Sequence, residues 1–254
     1  MRKYLIILCV IITASIGRQV QAQGDVSDTG IVIPMFYATY AFQLPGGDMA
    51  DRFGYNSNIG GGFKIKTRNN WLMGADFGYI FGNQIKNKSE ILSGIATKDG
   101  YLIDGGGKLI DVFFYERGFN VSGQFGKIIP VLSPNPNSGI TITVGAGLMQ
   151  HKIKLEDTDN SAPQIKGDYK KGYDKLTNGF SLNEFVGYTY FGNNRLLSFF
   201  AGFEFVQGFT QSRRSYDFNL GAPDTQKRID LQYGLKIGWI VPLYKRKPKG
   251  YYFD

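Results

Sequence analysis

The chain offers a single histidine, His151, to general acid–base chemistry. Gln150 and Lys152 flank it and no serine adjoins it, so a Ser–His–carboxylate triad would have to be assembled in space. His151 falls at the end of an extended segment, where a solvated rim residue is expected and catalysis is not. A second candidate is the acidic cluster Glu156, Asp157, Asp159 and Asn160. Its spacing begins like a calcium loop, Asp157-x-Asp159-x-Ser161. Position six is Ala162 where a glycine is needed, and position twelve is Asp168 rather than glutamate. A solvated acidic turn is the expectation, with no metal site. Gly60-Gly61-Gly62 and Gly105-Gly106-Gly107 have the spacing of neither a dinucleotide loop nor a P-loop. The first run suits a coiled strand and the second suits turns. No cofactor is expected.

What must position these residues is a set of strands. With 254 residues, 43% hydrophobic and 20% charged, the chain is no disordered polymer. Its mean hydropathy of −0.19 excludes a bundle of apolar membrane helices. From Ile31 onward, apolar residues alternate with small or polar ones at period two, as in a strand with one apolar face. In one segment Trp71, Met73, Ala75, Phe77, Tyr79 and Phe81 share a face, against Leu72, Gly74, Asp76, Gly78, Ile80 and Gly82. Another places Ile229, Leu231, Tyr233, Leu235, Ile237, Trp239 and Val241 opposite Asp230, Gln232, Gly234, Lys236 and Gly238.

Eight such segments are predicted, at 31–43, 54–67, 70–83, 110–129, 139–153, 179–191, 195–210 and 227–244. The sixth is the least regular, since Leu182, Glu184, Val186 and Tyr188 share a face, and a bulge is expected there. Arg68-Asn69-Asn70 and Gly192-Asn193-Asn194 read as tight hairpin turns, and Pro130–Ser138 as a longer one. The other connections, 44–53, 84–109, 154–178 and 211–226, are long. Within 84–109, apolar residues on both sides of Asp99-Gly100 suggest a small hairpin.

Regular alternation of short and long connections over an even number of strands is the pattern of a transmembrane β-barrel, with every long loop on the outer side and both termini inside. The alternative is a soluble barrel of lipocalin type with its apolar face inward. The polar faces argue against it. They are crowded with glycine and hold few charges: Lys64, Lys66, Asp76, Glu204 and Lys236, with Glu116 and Glu184 beside them. That composition suits a narrow lumen. The apolar faces carry Phe36, Tyr40, Phe42, Phe119, Phe125, Phe199, Phe203 and Phe205, too many large rings to fill such a cylinder. The fold class expected is therefore all-β, an eight-stranded antiparallel up-and-down transmembrane barrel over residues 23–244. Lys64, Asp76, Glu204 and Lys236 are expected inside it as partnered ions that close the lumen, not as a conducting gate. Trp71 and Trp239 are expected at the periplasmic interface.

Residues 1–22 read as a secretory signal peptide: Arg2 and Lys3, an apolar core from Tyr4 to Ile12, and Val20-Gln21-Ala22 before a cut after Ala22, with a cut after Gln23 nearly as good. Cys9 lies inside that core, so no lipoprotein is expected and the mature chain has no thiol. Loss of Arg2, Lys3 and Arg18 lowers the formal charge of +8 by three, leaving a mildly basic chain with no call for nucleic acid. Residues 245–254 form a tail in which Lys245, Arg246, Lys247 and Lys249 precede Tyr251, Tyr252 and Phe253. The basic run is expected to meet anionic lipid, and the aromatic end a periplasmic partner.

Three stretches are similar to the small outer-membrane β-barrel proteins of Bacteroidota, of the OmpA-barrel or porin-like kind. They are the leader ending Val20-Gln21-Ala22-Gln23, Asp99-Gly100-Tyr101-Leu102-Ile103 leading into Tyr115-Glu116-Arg117-Gly118-Phe119, and the ending from Leu235 to Tyr244. The resemblance implies the cell outer membrane as location, with membrane lipid and lipopolysaccharide as surroundings. It extends to barrels of the type IX secretion and gliding apparatus, whose proteins would then be partners. No peptidoglycan-binding domain of the OmpA type is expected after the barrel. Three functions fit: a structural or interaction barrel, which is favoured; a narrow channel for small solutes; and a lipid-modifying enzyme using His151.

Overall fold

The computed structural model describes residues 30–157, 161–192 and 197–243. The leader 1–22, the tail 245–254, Asp159, Asn160, Asn193 and Asn194 lie outside them. Eight long antiparallel strands close into a barrel: β1 (Ile33–Gly47), β2 (Asn56–Lys66), β3 (Trp71–Gly82), β6 (Val112–Ile129), β7 (Gly139–Asp157), β8 (Thr177–Tyr190), β9 (Ser198–Ser212) and β10 (Lys227–Pro242). Each pairs with the next in sequence, and β1 closes the ring on β10. Short β4 (Leu102–Ile103) and β5 (Leu109–Ile110) form a separate hairpin in the second long loop, after a four-residue helix α1 (Lys88–Ile91).

Parity decides which face turns inward. Along β3, Leu72, Asp76 and Ile80 are buried while Trp71, Met73, Phe77 and Tyr79 are exposed. Along β10, Asp230, Gln232 and Lys236 are buried while Tyr233, Leu235, Ile237 and Trp239 are exposed. The glycines of the inner face leave no room for anything larger. A Cβ on Gly62 would lie 2.1 Å from the Ala75 carbonyl oxygen and 2.5 Å from the Tyr37 hydroxyl. So strongly coiled a sheet needs glycine where neighbouring backbones approach.

Two features differ from the sequence expectations. β8 carries no bulge, because its register runs unbroken from Thr177 to Tyr190 against β9 and from Thr177 to Thr189 against β7. The irregular face arises because Glu184 points outward, between Leu182 and Val186, rather than into the lumen. The loop hairpin also turns later than Asp99-Gly100. The Asp104 carboxylate accepts the backbone N–H groups of Gly106 and Lys108, each at 2.8 Å, and Gly107 adopts φ +82°. This turn aligns Leu102 with Ile110. Asp99-Gly100 makes only a local turn, in which Gly100 N–H donates to the Thr97 carbonyl at 3.0 Å.

The interior has two apolar ends. At the short-turn end Ile33, Met35, Leu72, Ile128, Phe185, Phe191, Phe200 and Ile240 are buried together. At the long-loop end Ile80, Met149, Ile153 and Val206 point inward from the strands and meet Met49 and Phe53 of the first long loop. Ile91, Leu92, Leu102, Ile110, Ile165 and Tyr173 extend this second cluster into the outer loops. The loops are thus a packed cap with its own core. The third and fourth long loops are clamped together by charge: Arg214 donates to Asp174 at 2.7 Å and Lys175 to Asp217 at 2.6 Å. The Asp174 hydrogen bond also holds the Arg214 guanidinium above its ordinary pKa.

Candidate functional site

Between the two apolar clusters lies a polar layer. Lys236, on β10, places its ammonium 2.6 Å from Glu204 Oε1 of β9 and 3.1 Å from Asp76 Oδ2 of β3. One cation bridges two carboxylates across the lumen. Asp76 also accepts the Tyr37 hydroxyl and, at 2.6 Å, Nε2 of Gln124. Gln43 donates to the other oxygen of Glu204 at 3.3 Å. Lys64 has a different environment: its ammonium lies 4.8 Å from the Tyr37 ring centroid and 5.9 Å from that of Phe200. Aromatic faces attract a cation by their quadrupole, and more strongly where water is excluded.

Why long charged side chains fit here is visible in the register. Each interior charge has a glycine beside it on an adjacent strand: Lys64 faces Gly74, Asp76 faces Gly62, Glu204 faces Gly234 and Lys236 faces Gly202. The missing side chains make room for the charged ones to cross the lumen. A cavity of about 30 Å³ lies in this layer, lined by Lys64, Asp76, Gln124, Thr143 and Lys236 among others. That is room for about two waters.

His151 is no rim residue. It is fully buried, with Nε2 2.8 Å from Asp230 Oδ2 and its ring edge-on to Phe53 at 5.4 Å. Asp230 also receives Arg52 of the first long loop at 2.7 Å and the Thr210 hydroxyl at 2.5 Å. The expectation of a solvated side chain fails because the first loop folds down into the barrel mouth and brings Phe53 and Arg52 with it. The imidazole therefore ties a loop to the strands and presents no open face to a substrate. In the acidic segment, Asp157 accepts the backbone N–H of Ala162 at 2.8 Å, which makes it a turn anchor. Among the described residues no group of three metal-capable side chains gathers.

Parity makes the inward set Lys64, Asp76, Glu204 and Lys236 readable in sequence. It leaves their partners hidden. Gln124 reaches Asp76 from the neighbouring strand β6, but Tyr37 and Gln43 stand on β1, and only the closed ring brings them to Asp76 and Glu204. Lys66 also points inward, but at the short-turn end, where it donates to Asn137 at 2.7 Å and to the Ile31 carbonyl at 3.1 Å. Glu116 is buried and accepts Nδ2 of Asn56 at 3.1 Å.

The outer surface is the reverse of a soluble protein's. Phe36, Ile59, Phe77, Val121, Phe125, Val144, Phe199 and Tyr233 are all exposed, and Phe203 is 70% exposed. An apolar wall of this extent needs lipid or another apolar surface against it. Every strand of the barrel is paired on both sides, which is what a sheet needs to cross a bilayer. The chain is a transmembrane β-barrel of the outer-membrane kind. Trp71 lies at the short-turn end, stacked on Phe125 at 5.0 Å with the Lys127 ammonium 4.8 Å above its ring. Trp239 is exposed at the same end, beside Ala38 and Phe199. No helix of the described residues is long and apolar enough to cross a membrane.

No protein-family model and no curated protein matches the chain. Solved structures of outer-membrane proteins are similar to it. Neisserial surface protein A aligns at a TM-score of 0.41 and 12% identity, over 82% of this chain and 96% of that one. Ail, the attachment invasion locus protein of Yersinia pestis, aligns at 0.38 and 10%, over 82% and 97%. The outer membrane protein OprG from Pseudomonas aeruginosa aligns at 0.34 and 10%, over 85% and 98%. With identities this low, the functional reading rests on the barrel's own geometry.

Proposed function

We propose that this protein is a non-conducting outer-membrane barrel that serves as an anchor and as a presenter of its outer loops to a partner protein, and that it is not an enzyme. The observation that carries this reading is the filled lumen beneath a packed cap. Apolar clusters occupy both ends, and between them Lys236 is held by Asp76 and Glu204. A solute would have to break the Lys236 bridge and displace Phe53 and Phe185 to pass. The cap, by contrast, offers surface. The β4–β5 hairpin exposes Tyr101, Ile103 and Leu109, and the third and fourth loops expose Tyr169, Tyr216 and Leu220. The basic and aromatic tail 245–254 is a second docking element on this reading, on the periplasmic side. Service in a secretion or gliding assembly is one form the role takes, and the identity of co-purifying partners decides it.

The test is an affinity pull-down from outer membranes in mild detergent, with full-length protein and with protein lacking Lys245 to Asp254. Specific partners at stoichiometric yield support the anchor, and their loss on truncation assigns docking to the tail. Absence of partners with both forms, or steady single-channel currents from the purified barrel, overturns it.

A further inference from the structure

The outward face of the barrel carries a cluster of cations at one height and on one side. Arg117 of β6 and Lys152 of β7 are direct cross-strand neighbours on that face. Like charges placed opposite each other in a sheet repel unless something negative lies against them. The Arg117 guanidinium rests on the Tyr115 ring at 4.8 Å and donates to the Glu116 carbonyl at 2.7 Å, which pins it flat to the wall. Lys170 overhangs from the third long loop. Together with Lys154, Tyr79 and Phe119 these residues line a hollow of about 340 Å³.

The charges of the hollow are unevenly spent. Lys154 pairs with Glu156. The one carboxylate in the lining, Asp174, is bridged to Arg214. The ammonium groups of Lys152 and Lys170 have no anionic partner among the described residues. Height decides what could supply one. Along β6 the outward residues run from Lys127, beside Trp71, to Arg117. Ten residues of a strand tilted as in outer-membrane barrels rise about 26 Å, the height of an apolar band. Lys127 therefore marks the periplasmic interface and Arg117 with Lys152 the outer one, at the level of lipid phosphates. Directly below, Tyr79, Phe119 and Leu148 continue the wall toward the apolar band.

We propose that Arg117, Lys152 and Lys170 bind the phosphorylated sugar headgroup of an outer-leaflet glycolipid of lipopolysaccharide type, with its acyl chains laid along Tyr79, Phe119 and Leu148. Phosphate takes charge-assisted hydrogen bonds from the guanidinium and from both ammonium groups, and removes the repulsion between Arg117 and Lys152. The proposal rests on the outer-membrane reading above, but not on the anchoring role.

Native mass spectrometry of the full-length barrel in detergent tests it. The probes are bis-phosphorylated lipid A, the same lipid dephosphorylated, and phosphatidylglycerol. The variants are Arg117→Gln/Lys152→Gln/Lys170→Gln and, as control, Lys127→Gln, each checked for folding by heat-dependent gel mobility. Lipid A is expected to bind the unaltered barrel and the Lys127→Gln variant alike, and the triple variant at least about tenfold more weakly. The dephosphorylated lipid is expected to bind the unaltered barrel as weakly as lipid A binds the triple variant, a comparison that needs no substitution. Equal lipid A binding by the triple variant and the unaltered barrel overturns the site. Equal binding of phosphatidylglycerol and lipid A overturns the assignment to glycolipid. Either failure leaves the pull-down and conductance results, and so the anchor reading, untouched.

Discussion

Replacing Lys236 by methionine would leave Asp76 and Glu204 in the polar layer without the cation that bridges them. Breaking a buried ion pair from one side costs about 3–5 kcal/mol, because a charge is left uncompensated. Lys236→Met is expected to lower stability by that amount in denaturant unfolding of the reconstituted barrel. The double variant Glu204→Gln/Lys236→Met should recover most of it, since Lys64 and Asp76 then remain in the layer as one cation and one anion. Equal stability of Lys236→Met and the unaltered protein would remove the bridge from the account. Glu184 presents the opposite case. Its carboxylate sits at mid-strand on the outer face, with Val144 and Phe205 as its cross-strand neighbours. A lipid-facing acid near the midplane destabilises a barrel, by less than the roughly 2–4 kcal/mol of a basic residue. Glu184→Leu is therefore expected to raise stability by about 1 kcal/mol in the same assay. A drop instead would show that the carboxylate has a partner in the bilayer.

At the scale of elements, two loops repay attention. The first long loop drives Met49 and Phe53 into the barrel mouth, both fully buried. Phe53→Ala removes a ring packed on His151 and is expected to cost about 3–5 kcal/mol, the range for a large buried aromatic. Amide exchange should then accelerate in the loop cap before it does in the strands. The second long loop is shaped by Asp104. Hydrogen bonds from the Lys108 and Gly106 backbone N–H groups hold its carboxyl below the usual range. A carboxylate with a lowered folded pKa stabilises above its unfolded value, about 3.9 for Asp, and the contribution is lost as pH falls through the lowered value. The β4–β5 turn is accordingly expected to keep its shape down to about pH 4 and to loosen below it. Chemical shifts of the Gly106 and Lys108 amides during an acid titration would report the change. In an Asp104→Ala variant the titration should vanish, and its persistence would mean another group controls the turn.

At the scale of the whole molecule, the filled lumen predicts electrical silence. Planar bilayers containing the purified barrel should show no unitary currents. Phe53→Ala alone should not produce any, because Phe185, Phe200 and Ile240 still close the other end. Currents from the unaltered protein would show that the polar layer opens and would return the narrow channel to first place. The two closures also separate the jobs of the molecule. The inner face spends its charges on holding the cylinder together, the outer face meets lipid, and the cap alone is left to face the outside.

Strand number, strand parity and the alternation of short and long connections could be read from residue types, because a side-chain period of two is a local property of the backbone. The eight segments lie within a few residues of those observed. The same parity marked Lys64, Asp76, Glu204 and Lys236 as one inward set, and glycine as the inner-face filler. It misread Glu184, whose polarity suggested the lumen although its position in β8 is an outward one. It could not show that Lys236 bridges Asp76 and Glu204: Glu204 stands on the neighbouring strand β9, but Asp76 stands on β3 and meets Lys236 only across the closed ring. Nor could it show His151 buried, because Phe53 reaches it from a loop about a hundred positions earlier. Local periodicity sets which way each side chain points. Which side chains meet is set by closure of the ring and by loops folding back on it, and those contacts join residues that are distant in sequence.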